Sequence, residues 1–115
     1  MPTVNCHRGE VWFVDLNPTK GREQSGRRPC LIISDDRLNR SPADLVIVVP
    51  ITSKDKRIPS HVEMHPPEGG LTVRSFIKCE DVRSISTERL VTMLGTIKTA
   101  TLESVADRLR LLLSL

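Results

Sequence analysis

The sequence of 115 residues predicts a mainly β protein with one C-terminal helix, folded as a small, strongly bent antiparallel barrel. Short apolar or alternating runs separated by turn residues fill the first two-thirds of the chain, as is typical of strands. The C-terminal segment instead carries its apolar residues at helical spacing. No apolar run approaches the ~20 residues that span a bilayer. The chain is therefore predicted to be a single domain, 1–115, that lies in the cytoplasm and away from membranes.

Five strand-like segments precede the helix, and a polar stretch at 35–42 between the second and third has room for one helical turn. The predicted strands are 9–16, 30–34, 45–51, 60–65 and 75–85. Apolar residues then recur at positions i, i+3, i+4, i+7, i+10 and i+11 from Leu102 to Leu113, which predicts a helix of about fourteen residues. Thr99 or Thr101 is the expected cap of that helix.

The formal net charge is +3, from 17 basic and 14 acidic residues, and the positive charge is concentrated in one part of the chain. The window 20–57 holds nine basic and five acidic residues, a difference of +4. Basic residues gathered on loops favour a polyanionic partner, nucleic acid first. A basic surface that is merely solvated is the alternative.

The connection from Asn17 to Arg28 joins two apolar runs and is much longer than a structural hairpin needs. It holds arginines, a carboxylate, an amide and glycines, and long charged loops on rigid strands often carry function. A second polar segment, 50–54, ends the third strand with the hydroxyls of Thr52 and Ser53. If the two strands are neighbours, Arg28 and Thr52 can lie side by side. The alternatives are a backbone bond for Thr52 and a surface ion pair between Arg28 and Glu23.

Other chemistries find little support in the sequence. His61 and His65 flank Glu63, but prolines on both sides oppose a helix there. On a strand the two histidines are ~13 Å apart, too far for one zinc ion. No cofactor or metal is therefore predicted. The cysteines form no CxxC pair, and Cys30 and Cys79 are expected to be small buried residues in a reducing compartment.

Four motifs together resemble the MazF/PemK family of toxin endoribonucleases. They are RGEVWFVDLNP at 8–18, GREQSGRRP at 21–29, PITS at 50–53 and DVRSI at 81–85, and the resemblance runs in order from residue 8 to 115. It implies an SH3-like small barrel of the CcdB/MazF type, a homodimer, metal-independent cleavage of single-stranded RNA, and inhibition by a cognate antitoxin protein.

The resemblance also assigns site residues. Arg28 and Thr52 match the family's catalytic arginine and threonine, and Glu23 matches a glutamate near the scissile bond. This chain departs from the family at Asp81, where glutamine is usual, so recognition or rate can differ. Together with Asp81, the loop residues predicted to bind RNA are Lys20, Arg22, Gln24, Arg27, Ser53, Lys54, Lys56 and Arg57.

RNA supplies its own nucleophile, the 2′-hydroxyl, so the enzyme has to align it and stabilise charge on the phosphate. Arg28 suits the phosphate, Thr52 can donate to it, and Glu23 is a hypothetical base. Cleavage then leaves a 2′,3′-cyclic phosphate and a 5′-hydroxyl. Two rivals stay open: a CcdB-like poison of gyrase, which has the same barrel but cleaves nothing, and a non-catalytic RNA-binding barrel.

Overall fold

A computed structural model describes residues 5–17, 20–21 and 26–115. In this part of the chain, seven strands and two α-helices form. The strands are β1 Glu10–Asp15, β2 Arg27–Ile32, β3 Leu45–Thr52, β4 His61–Met64, β5 Ser75–Lys78, β6 Arg83–Ser86 and β7 Leu90–Thr96. The helices are α1 Asp36–Asn39 and α2 Thr99–Leu113. Short 3₁₀ turns lie at Glu68–Gly70, Cys79–Asp81 and Thr87–Arg89.

The strand β3 is the centre of one antiparallel sheet with the order β4-β5-β3-β2-β1-β7. Its first edge pairs with β2, and its other edge pairs with β6 up to Val48 and with β5 from Ile51 onward. Pro50 lies in the gap between these two partners, where a residue without an N–H donor is tolerated. Pairing is therefore interrupted at Pro50 on this edge, whereas on the other edge Pro50 pairs with Cys30.

Both faces of the central strands are buried, because neighbouring residues point to opposite sides of a sheet. Leu31 and Val49 belong to a core cluster that includes Val105 of α2. Ile32 and Val48 belong to a second cluster on the opposite face. The helix α2 therefore packs on one side only, and the bent sheet encloses the other core.

The turn at Glu68–Gly70 lies between β4 and β5 and contacts β7, the strand at the other end of the strand order. Gly70 has φ +70°, and a Cβ atom there would overlap the carbonyl oxygen of Leu94 in β7. Only glycine allows this approach of two backbones. Glu68 of the same turn accepts hydrogen bonds from the Lys98 N–H at 3.0 Å and the Thr101 hydroxyl at 2.6 Å.

The predicted fold class, mainly β with a C-terminal helix, is confirmed, and α1 is the single turn expected at 35–42. Several details were wrong. The segment 75–85 is split by a 3₁₀ turn into β5 and β6, β2 begins at Arg27, and β7 was not predicted. The helix α2 has 15 residues, in agreement with the predicted length, but its cap position is Lys98 and not Thr99 or Thr101, and Lys98 makes no side-chain cap. No helix in the described ranges is long and apolar enough to cross a bilayer.

The cysteines Cys6, Cys30 and Cys79 are buried free thiols, as expected for the latter two. Burial raises the pKa of Cys30 to about 12, against a smaller opposing effect of Arg28, and burial raises that of Cys79 to about 11. Because the thiolate is the reactive form, we expect the native protein to resist a disulfide thiol reagent at neutral pH. The same titration in denaturant should find three thiols. Rapid labelling of native Cys30 would contradict this burial.

Candidate functional site

The residues Arg28 and Thr52 meet across two neighbouring strands. Cys30 of β2 pairs with Pro50 of β3, and continuing this register by two residues places Arg28 opposite Thr52. Arg28 and Thr52 line one cavity of about 240 Å³ together with Ser53. The sequence suggested that these two residues adjoin, and the structure brings them together.

The position of Arg28 differs in one respect from the sequence prediction. Arg28 is the second residue of β2 and pairs with Val14 of β1, so it lies inside a strand and not at the loop junction before it. Its backbone is therefore held by the ladder on the β1 side. A cation on a rigid strand is positioned more accurately than one on a loop.

Thr52 is 9% exposed, and its hydroxyl oxygen accepts the backbone N–H of Lys54 at 3.2 Å. This is the local backbone bond that the sequence analysis gave as the alternative for Thr52. The bond uses a lone pair of the oxygen. The hydroxyl hydrogen is a separate donor, so the bond does not prevent Thr52 from donating to a ligand in the cavity.

The opposite wall of the cavity comes from the segment that leads into β5. Thr72, Val73 and Ser75 contribute to it, and Leu71 lies beside them. No motif marks Thr72, Val73 or Ser75 in the sequence. The one nearby signal is Gly70, which has a positive φ and ends the preceding turn. A cation, hydroxyls and an aliphatic wall together suit a phosphate with an attached organic group.

The described loop cations fall into two segments of the chain, one up to the start of β2 and one after β3. Arg27 and Lys20 are exposed on the β2 side, and the Arg27 Nε lies 3.6 Å from a carboxylate oxygen of Asp15. Lys54, Lys56 and Arg57 are exposed on the loop between β3 and β4. Arg22, Glu23 and Gln24 lie outside the described residues, and so does the alternative pairing of Arg28 with Glu23.

Asp81 does not line the cavity. It ends the 3₁₀ turn after β5, and its carboxylate lies 2.8 Å from the Lys78 Nζ. Its contact with RNA stays a prediction.

His61 begins β4 and His65 directly follows that strand, so the segment is not a helix, as the flanking prolines indicated. His61 is buried, and its Nε2 lies 2.7 Å from Glu80, whereas His65 lies 3.6 Å from Glu63. Burial raises the pKa of Glu80, but hydrogen bonds from Ser60 and His61 lower it overall. Over the described ranges, no group of three or more His, Cys, Asp or Glu residues could hold a metal ion.

Arg74 is a further residue that the sequence analysis missed. It ion-pairs with Glu63 and Asp55 and lies over the ring of Phe76. Its two neighbours in the chain, Val73 and Ser75, line the cavity. No local sequence signal marks it, because its partners come from other elements.

The fold and the cavity define a small antiparallel β barrel with an arginine and a threonine at the ends of paired strands. A model of the PemK-like, MazF-like toxins of type II toxin–antitoxin systems matches residues 7–113. The chain belongs to this toxin family, and the prediction of an SH3-like barrel of the CcdB/MazF type is confirmed with it.

Individual relatives agree with this membership. Endoribonuclease MazF9 of Mycobacterium tuberculosis is 37% identical, over 94% of this chain and 96% of that protein. The crystal structure of MazF from Deinococcus radiodurans has a TM-score of 0.86 and 27% identity, and it covers 96% of this chain and 97% of its own. An endoribonuclease from a Mycobacterial species, solved with its cognate antitoxin, has a TM-score of 0.74 and 26% identity, covering 96% of this chain and 94% of its own.

Proposed function

We propose that this protein is an endoribonuclease toxin of a toxin–antitoxin system that cuts single-stranded RNA at selected sequences without a metal ion. The observation that carries the proposal is the meeting of Arg28 and Thr52 in one cavity. Support comes from the endoribonuclease relatives, of which one was solved with an antitoxin. The toxin acts as a single domain over residues 1–115, as a homodimer, in the cytoplasm.

Arg28 binds the scissile phosphate. A guanidinium stays charged and donates two parallel hydrogen bonds to phosphate oxygens, which neutralises the charge that grows on them in the transition state. Thr52 donates its hydroxyl hydrogen to the same phosphate from the opposite strand. Both groups are held on paired strands before the substrate arrives, so little reorganisation is needed when it binds.

The nucleophile belongs to the RNA. The 2′-oxygen forms a bond to phosphorus as the bond from phosphorus to the 5′-oxygen breaks, and the two oxygens lie in line. The proton of the 2′-hydroxyl passes to Glu23, the leaving 5′-oxygen takes a proton from a solvent water, and Glu23 then returns its proton to the solvent. The products are a 2′,3′-cyclic phosphate and a 5′-hydroxyl. Arg28 itself is a poor base because a guanidinium does not release its proton.

The loop residues hold the RNA strand on either side of this centre. Lys20, Arg22, Gln24 and Arg27 act on the β2 side, and Ser53, Lys54, Lys56 and Arg57 act on the β4 side. Asp81 adjusts sequence choice where relatives carry glutamine. An acidic, partly apolar antitoxin segment complements the same basic surface and competes with RNA.

The test is end mapping on mixed-sequence RNA, followed by one substitution in the substrate. We expect discrete cuts that bear 5′-hydroxyl ends, in the presence of EDTA as in its absence. A 2′-deoxy nucleotide at the cleaved position should then abolish cutting there, because the nucleophile is gone. Cutting of the deoxy substrate would refute attack by the 2′-hydroxyl. Protection without cuts would indicate an RNA binder, and gyrase inhibition without either would indicate a topoisomerase poison.

A further inference from the structure

Arg74 is held by three groups from different elements, directly beside the cavity. Its Nε donates to Glu63 of β4, and one of its terminal nitrogens lies 3.5 Å from Asp55 in the loop after β3. Its guanidinium carbon is 5.0 Å from the centre of the Phe76 ring. Such a cation over a ring is attracted to the π electrons. The side chain is thus fixed by two carboxylates and the ring.

The planar group nevertheless stays accessible, because the Arg74 side chain is 53% exposed. Phe76 is 6% exposed, so the ring supports the guanidinium from the protein side. Val73 and Ser75, on either side of Arg74, line the cavity that holds Arg28 and Thr52. A flat, exposed guanidinium is therefore fixed beside the cavity proposed for the scissile phosphate.

The guanidinium of Arg74 is poorly suited to binding another phosphate. Glu63 and Asp55 place two carboxylates against one guanidinium, so this cluster of three side chains carries no net positive charge. A polyanion gains little from approaching such a group. A nucleobase has no charge, and it stacks well on a guanidinium plane.

The chain also has few alternatives for stacking. Its aromatic residues are Trp12, Phe13 and Phe76, and it contains no tyrosine. Single-stranded RNA is commonly held by stacking its splayed bases on rings or on arginine planes. We propose that the guanidinium of Arg74 is a stacking platform for one base of the bound strand, next to the cavity. This inference rests on the proposed function for its substrate class, single-stranded RNA.

The test compares binding of two short oligonucleotides, which isolates the contribution of the bases. One is a mixed-sequence 2′-deoxy oligomer and the other has the same backbone with abasic residues throughout. Neither has a 2′-hydroxyl, so binding is measured without cleavage. Stacking of one base is worth about 5- to 150-fold in affinity. The quantity compared is the dissociation constant of the abasic oligomer divided by that of the oligomer with bases. Arg74→Lys keeps the charge but loses the planar group, so we expect it to reduce this ratio by that factor.

Two controls separate stacking from other roles. Arg110→Lys changes another arginine that is paired with a carboxylate, Asp107 on α2, and should leave the ratio unchanged. The slope of log Kd against log salt should be the same for Arg74→Lys and the original protein. An unchanged ratio in Arg74→Lys would overturn the proposal, whether or not the melting temperature falls. If the ratio falls as expected but RNA is never cut, the platform stands and the proposed nuclease function fails.

Discussion

Replacing Arg28 by alanine is expected to lower RNA cleavage by at least ~10²–10³, the loss typical of one transition-state donor. Arg28 lies on β2 and lines the cavity with Thr52, and in the proposed mechanism its removal leaves the phosphate without its principal cation. The measurement is kcat/KM on an RNA that contains one mapped cut site. Circular dichroism and the melting temperature report whether the variant is folded.

The adjacent Arg27 provides the matched control. Arg27 is exposed and pairs with Asp15 at 3.6 Å, so Arg27→Ala should lose no more than a few-fold, through weaker steering of the strand. Combining Arg28→Ala with Thr52→Val should cost less than the product of the two single losses, because in the proposed mechanism both donors act on one phosphate. Near-normal cleavage by a folded Arg28→Ala protein would remove Arg28 from the mechanism.

Replacing Gly70 by alanine is expected to lower the free energy of unfolding by about 3 kcal/mol or more. Two effects add at this position. The φ of +70° is unfavourable for any residue with a Cβ atom, and the new methyl group would meet the Leu94 carbonyl of β7. To make room for this methyl group, β7 has to move away from the turn that contains Gly70. Denaturant unfolding gives the loss as a lower midpoint.

Gly26 separates the two effects. It has φ +79°, but a Cβ atom there meets nothing within 4 Å. Gly26→Ala therefore carries only the backbone cost, ~1–2 kcal/mol. Equal losses in the two variants would show that the contact of Gly70 with β7 contributes nothing to stability.

Local patterns were enough to predict most of the fold. The apolar runs that became β1 and β3, and the helical spacing that became α2, each report burial on a nearby face. In contrast, β7 was missed because most of its residues are exposed and the alternation is not complete. The 3₁₀ turn at Cys79–Asp81 was missed because the apolar residues on either side of it, Ile77 and Val82, were assigned to one continuous strand.

The candidate site was predictable only where the chain itself fixes the geometry. An antiparallel register makes Arg28 and Thr52 neighbours as soon as β2 and β3 are recognised as partners. The roles of Arg28, Thr52 and Glu23 stay predictions. Arg74 and the start of α2 depend on carboxylates that are distant in sequence: Asp55 for the arginine and Glu68 for the helix. Such contacts leave no periodic signal in the sequence, because the tertiary fold and not the local backbone conformation brings the partners together.

The shared position of β3 has a consequence for the population of active molecules. Thr52 pairs with Phe76 of β5 and lines its cavity with Arg28 of β2, while the same strand carries β6 further along. Opening β3 from β2 would separate Thr52 from Arg28, the two residues proposed to bind the phosphate, even with the other strand pairs closed. Local opening of this kind costs less free energy than global unfolding. Under the proposed mechanism, a molecule can therefore lose cleavage activity while most of its barrel is still folded.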